Sequence, residues 1–152
     1  MAERLFTNTT GAYGYQPDVD DTYPHTFGEF TVTEEGAVVA HRVVACVGPL
    51  GEIDTATSQT AFTGTLGVSL DTVTWEAGRP QVAKVVTSGI CVVDAGGTVT
   101  GGSPVVATTD GKVEDVVGFS AGDVILGIAL TSGDDGDTVV VKVNPQITLL
   151  GD

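Results

Sequence analysis

Residues 118–122, Gly118-Phe119-Ser120-Ala121-Gly122, spell G-x-S-x-G. In one large class of hydrolases that spacing presents a nucleophilic serine on a sharp strand-to-helix turn. The chemistry needs a parallel α/β sheet, a helix leaving the turn, and a histidine base later in the chain. Here Ser120 is followed closely by "DVILGIAL", an apolar run that reads as a strand, and both histidines, His25 and His41, come before it. The stretch is expected to be a β-turn feeding a strand, and the chain is expected not to be an enzyme.

Other reactive residue types are sparse. Cys46 in "VVACVG" and Cys91 in "GICVVD" sit in apolar runs, where a cysteine packs as a small hydrophobe. A disulfide between them stays open at this level, because pairing depends on geometry. No C-x-x-C is present and the histidines lack partners at zinc-ligand spacing, so neither a metal nor a cofactor is expected. "DVDD" at 18–21 and "SGDDGD" at 132–137 cluster carboxylates as a hard cation would require. Neither fits the twelve-residue EF-hand loop, and both read as solvated turns. Trp75 and Phe62 are expected to fill core, ligand stacking being the alternative reading. "GGTVTGGS" lacks the spacing and the lysine of a phosphate loop.

The elements around these residues are strands. Hydrophobic residues make up 41% of the 152-residue chain, enough for a core, and Val and Thr favour strands while the 21 glycines favour turns. From Phe30 onward, short apolar runs ("AVVAHRVVACV", "TGTLGVSL", "QVAKVVT", "GICVVD", "SPVVAT", "DVILGIAL", "DTVVVKV") alternate with turn signals such as "GPLGE", "TTDGK" and "SGDDGD". No window carries a capped 3.6-residue period. The fold class is therefore all-β, and Asp110-Gly111 marks a hairpin.

The strands repeat. Val43-Val44-Ala45 is echoed by Val105-Val106-Ala107, Leu66-Gly67-Val68-Ser69-Leu70 by Leu126-Gly127-Ile128-Ala129-Leu130, and Val82-Ala83-Lys84-Val85 by Val140-Val141-Lys142-Val143. Two copies of one small β unit follow, each too small to bury a core alone. The expected organisation is an extended N-terminal arm over 1–28, a first β lobe over 29–94 and a second over 95–152. The arm mixes polar residues with scattered aromatics, which suits docking on another surface; Phe6, Tyr13, Tyr15, Tyr23 and Phe27 are its candidate contacts.

Charge limits the partners. Twenty acidic residues against six basic ones give −14, a field that repels phosphate backbones, so no nucleic-acid partner is expected. No apolar run reaches membrane-spanning length, and no membrane partner is expected. So acidic a folded chain suggests a high-salt habitat, where its self-repulsion is screened.

Over "SPVVATTDGKVEDVVGFSAGDVILGIALTSGDDGDTVVVKV" the chain resembles the capsid decoration (cement) proteins of tailed double-stranded-DNA viruses. The resemblance is carried by Asp110 to Val113, Gly127 to Leu130 and Val139 to Val143, and more loosely by Gly67 to Leu70. It implies small β-barrel or tulip-like lobes on the outside of an icosahedral head. It also implies a homo-oligomer, commonly a trimer, that clamps neighbouring major capsid protein subunits and stabilises the shell. With the acidity it suggests a virus of a halophilic host. The alternative is a carbohydrate- or ion-binding β module of a virion fibre or cell-surface protein, with Trp75 and the 132–137 loop as its candidates.

Overall fold

In the computed structural model, residues 25–47, 51–56, 65–78, 81–118 and 123–147 are described. The Val- and Thr-rich runs become eleven strands: β1 (His25–Thr31), β2 (Ala37–Val38), β3 (Val43–Val47), β4 (Glu52–Thr55), β5 (Thr65–Ser69), β6 (Val73–Thr74), β7 (Val82–Asp94), β8 (Pro104–Ala107), β9 (Val113–Asp115), β10 (Val124–Ala129) and β11 (Thr138–Ile147). The protein is all-β; one 3₁₀ turn, Thr109–Gly111, is the helical element among the described residues. Nine strands form a single curled sheet in the order β4-β3-β5-β7-β11-β10-β8-β9, with β1 also on β7, while β2 and β6 pair separately.

That order contains the repeat. The run β4-β3-β5-β7 recurs as β9-β8-β10-β11, so each strand of the first copy has a counterpart with the same neighbours. Register agrees residue by residue. Val43 and Val44 pair with Val68 and Gly67; Pro104 and Val105 pair with Ile128 and Gly127. The β2–β6 ladder at Val38 and Val73 reappears as a single bridge between Val99 and Gly133. Turns match too: His41 donates its N–H to the Ser69 carbonyl, and Gly102 donates to that of Ala129. Both residues have positive φ, which glycine adopts without strain and histidine does not.

The Leu-Gly pair is the most specific shared feature. In β5 the pairing with β3 jumps from Gly67 to Thr65, leaving Leu66 as the extra residue of a bulge. In the β10–β11 ladder the register shifts between Ile125 and Gly127, and here the extra residue is on β11, where Asn144 and Pro145 lie opposite Leu126. A bulge kinks the strand and switches which face the following residues occupy. Both glycines then lie flat against a neighbouring carbonyl: a Cβ on Gly67 would stand 2.8 Å from the carbonyl carbon of Val86, and one on Gly127 2.9 Å from that of Lys142.

The copies join within a strand. β7 runs for 13 residues; its first part pairs with β1 and β5, and its second part with β11. The second part of β7 stands to β11 as β1 stands to the first part. Phe30 opposite Ala83 corresponds to Val93 opposite Val139, and Thr31 opposite Val82 to Asp94 opposite Thr138. The expected division at 94/95 therefore falls at the end of a shared strand. The arm expected through residue 28 gives way to β1 at His25.

Core packing follows from this arrangement. One cluster belongs to the first copy alone: Val32, Val38, Val44, Ile53, Ala83 and Val85, closed by Phe30, Leu66, Val73 and Trp75. The other joins both copies, setting Val43, Ala45, Val68 and Val86 of the first against Val93, Val105, Leu126, Val139 and Val141 of the second. One face of the first copy thus serves as the lid of the second. The 110–111 hairpin holds the seam: Asp110 and Gly111 both have positive φ, and a Cβ on Gly111 would reach 2.6 Å from the Val43 carbonyl oxygen. Arg42 Nε lies 3.2 Å from Asp94 Oδ2, tying the two copies with a half-buried ion pair.

Candidate functional site

Of the aromatic residues expected in the arm, Phe6, Tyr13, Tyr15 and Tyr23 lie outside the described residues. Phe27 sits in β1 opposite Val86, 49% exposed, with the Lys84 ammonium 5.7 Å from its ring centroid. Glu29, two residues on, faces the same Lys84 across the strand pair. An exposed cation–π contact of this kind contributes about 0.5–1 kcal/mol. Among the described residues β1 is laddered to β7, and its other edge meets β4 where the chain leaves it, at the Val32–Ile53 bridge; the earlier part of that edge suits β-strand addition by a partner.

A second feature lies at the end of the first copy. A cleft of about 340 Å³ is lined by Trp75, Glu34, Glu52, Glu76, Thr31 and Val32. Trp75 leans on the first-copy core and donates its backbone N–H to the Gly36 carbonyl at 3.0 Å, which fixes its position. Glu52 accepts a 3.3 Å hydrogen bond from the Thr33 hydroxyl. Apolar floor and carboxylate walls give a surface that attracts cations and hydroxyl-rich molecules and repels anions. Trp75 therefore both fills core, as its sequence context suggests, and shows part of its ring side to a cleft. The acids around it come from three separate loops and strands, so no local motif could have gathered them.

The other candidates are structural where they are described. In the 132–137 loop, Asp134 and Asp137 close a turn on each other: the Asp134 N–H donates to Asp137 Oδ2 and the Asp137 N–H to the Asp134 carbonyl, each at 2.9 Å. Lys112 approaches Asp135 at 3.9 Å. Among the described residues no three His, Cys, Asp or Glu side chains come together as metal ligands. The 18–21 acids, Phe62 and Ser120 lie outside the described residues. Both cysteines are free thiols. Burial pushes Cys91 up to about 12 and raises Cys46 less, since Cys46 is only half-buried.

No protein-family model matches the sequence, and no curated protein does. Among solved structures, the chain is similar to the N base of the head fiber gp8.5 of bacteriophage phi29. The TM-score is 0.57 at 18% identity, over 78% of this chain and 95% of that one. At that identity the likeness is one of fold: the strand arrangement is shared with a base domain of a phage head fiber.

Proposed function

We propose that this protein is a structural component of a tailed-phage virion, seated on the outside of the head. One observation carries the reading: nearly the whole of a phage head-fiber base superposes on this chain's strand plan. Two features of the chain agree with it. A −14 surface suits the exterior of a particle and repels the DNA within. An edge strand, β1, continues from the aromatic N-terminal segment, so main-chain pairing with a shell subunit could anchor it. Acting there, the protein binds the assembled shell and stabilises it by linkage, with many weak contacts summing across the head.

Sedimentation of the native source material tests this. The chain should move with a very large particle, near one copy per major capsid subunit for a clamp, and at far lower copy number for a fibre base. Recovery as a free protein would refute both. Deleting residues 1–24 should abolish binding to purified heads while leaving the far-ultraviolet spectrum of the sheet intact; unchanged binding would refute the anchor.

A second reading rests on the Trp75 cleft: a carbohydrate- or cation-binding module. Trp75 is the chain's one tryptophan, so its fluorescence reports the cleft directly. Titration with glycans and with Ca²⁺ should shift the emission if this reading holds. A flat titration removes it.

A further inference from the structure

We propose that the Trp75 cleft holds a lysine side chain presented by another protein. The proposal rests on the cleft being a binding site, the second reading above, and names its ligand. The repeat supplies the argument, because the second copy has the same corner with a lysine in it. Backbone pairing fixes the correspondence. The parallel bridge Val32–Ile53 of the first copy matches Ala95–Val113 of the second. Beside it, the Thr33 N–H donates to the Ile53 carbonyl at 2.9 Å, as the Gly96 N–H donates to that of Val113 at 2.8 Å. Glu52, one residue before Ile53, therefore corresponds to Lys112, one residue before Val113. The hairpins alongside match at their far ends, where the Val32 N–H donates to the Gln81 carbonyl and the Ala95 N–H to that of Asp137, each at 2.8 Å. The hairpin that carries Trp75 is thus the counterpart of the one that carries Asp135.

In the second copy the lysine is the chain's own. A Cβ on Gly96 would stand 2.8 Å from Cβ and 3.2 Å from Cδ of Lys112, so the Lys112 stem runs along that glycine. Its ammonium then lies 3.9 Å from Asp135 Oδ1 on the hairpin. In the first copy Thr33 stands in place of the glycine and Glu52 in place of the lysine, and the Glu52 carboxylate turns to the Thr33 hydroxyl at 3.3 Å. The hairpin opposite is longer and brings Trp75. Between them is the 340 Å³ cleft, where Glu34, Glu52 and Glu76 stand around the indole and no Lys or Arg is among the described lining residues. An aromatic wall beside carboxylates is what an ammonium on an alkyl stem requires, since the stem packs on the ring while the charge meets the π-face and the acids. A bare divalent ion is served less well, because no three acids converge as ligands among the described residues. Charge also selects the source: a basic protein surface is drawn to an acidic cleft on a −14 chain, and another copy of the same chain is repelled.

Blocked lysine (Nα-acetyl-lysine methylamide), titrated into the full chain at constant ionic strength, tests the proposal through the emission of Trp75, the one tryptophan. A saturable shift is expected, weaker in concentrated NaCl. The Nε-acetylated probe, which keeps the stem and loses the charge, should bind roughly tenfold more weakly or worse. Glu34→Gln, at an exposed position where the fold is indifferent, should weaken the lysine roughly threefold. Glu52→Lys repeats the arrangement of the second copy; it should shift the emission without any ligand and lose the response to the probe. Equal response to the acetylated probe overturns the proposal, as does a response that Glu52→Lys leaves intact. Emission that answers a glycan or Ca²⁺ but not the lysine keeps the cleft as a binding site and overturns this ligand; emission that answers none of them removes both. Arg79 follows Gly78 at the cleft and lies outside the described residues, so Arg79→Gln is the last control. A parent chain that is silent while Arg79→Gln responds would give the cleft to the chain's own arginine and overturn the external lysine.

Discussion

Replacing Gly67 or Gly127 by alanine should be among the most damaging single-methyl changes in this protein. Neither glycine needs a left-handed backbone, so the cost arises from space. The added Cβ would fall well inside van der Waals contact with the Val86 or Lys142 carbonyl oxygen and 2.8 or 2.9 Å from its carbon. Ordinary contact lies above 3.4 Å, so the strands must separate by about an ångström at the glycine. Separation weakens the pairing of Val68 and Ser69 with β7, or of Ile128 and Ala129 with β11. Two net backbone hydrogen bonds at about 1 kcal/mol each, plus about 1–3 kcal/mol of overpacking, give about 3–5 kcal/mol. Against a typical total of 5–15 kcal/mol this is severe. With an m-value of about 2 kcal/mol/M, the urea midpoint should fall by roughly 1.5–2.5 M for either variant. Gly118→Ala, where a Cβ meets open space at ordinary φ, is the control and should change the midpoint by little. Losses below about 1 kcal/mol at both sites would refute the steric argument; a loss at one alone would refute the equivalence of the two glycine contacts.

Thr65→Val should stabilise by about 0.5–1.5 kcal/mol by urea unfolding, because the Thr65 hydroxyl is buried without a hydrogen-bond partner among the described residues and valine keeps its shape. A native-state thiol titration at pH 8 should count one reactive cysteine, Cys46, with Cys91 reporting only in denaturant. A thiol pushed up to about 12 presents about a thousandfold less thiolate there than an ordinary one, and equal labelling rates would contradict its burial. Residues 89–152 expressed alone should show no cooperative melt, since Val93, Val105, Leu126, Val139 and Val141 lose their cover from the first copy; a sharp transition would mean that copy closes its own core.

Much of this architecture is visible in the sequence, and the limits are instructive. Asp110-Gly111 could be read as a hairpin because two successive positive-φ residues favour that pair. The Leu-Gly echo of 66–70 in 126–130 holds in its original register, since in both copies the glycine lies against the carbonyl of the neighbouring strand and admits no Cβ. Elsewhere the echo is displaced. Val44 corresponds to Val105, one residue from the apparent match, because Val43, Val44 and Ala45 are all apolar and any register looks alike. Lys84 corresponds to Val140, two residues from the match with Lys142, and a shift of two keeps every side chain on its own face. Hidden altogether was β7's double membership: "QVAKVVT" and "GICVVD" read as two strands because Ser88-Gly89 resembles a turn, yet both residues lie inside one strand. The Trp75 cleft was hidden for another reason, since its acids converge only through the sheet.

Duplication placed identical faces in different surroundings, and the side chains record the difference. In the first copy the outward row Val43–Val68–Val86 became interior once a second unit packed on it. The inner face of that copy had no partner and is closed by Phe30 and Trp75, the latter opening the acidic cleft. In the second copy the inner face is closed by the first, so small residues suffice: Val93 stands where Phe30 would, and Gly133 where Val73 would. Its outer row alone faces water, and there the sequence has changed to Pro104 and Lys142 while Ile128 and Leu130 stay aliphatic. The cleft and the outer row therefore mark the two ends of one stack, the first closed by Phe30 and Trp75 and the second facing water.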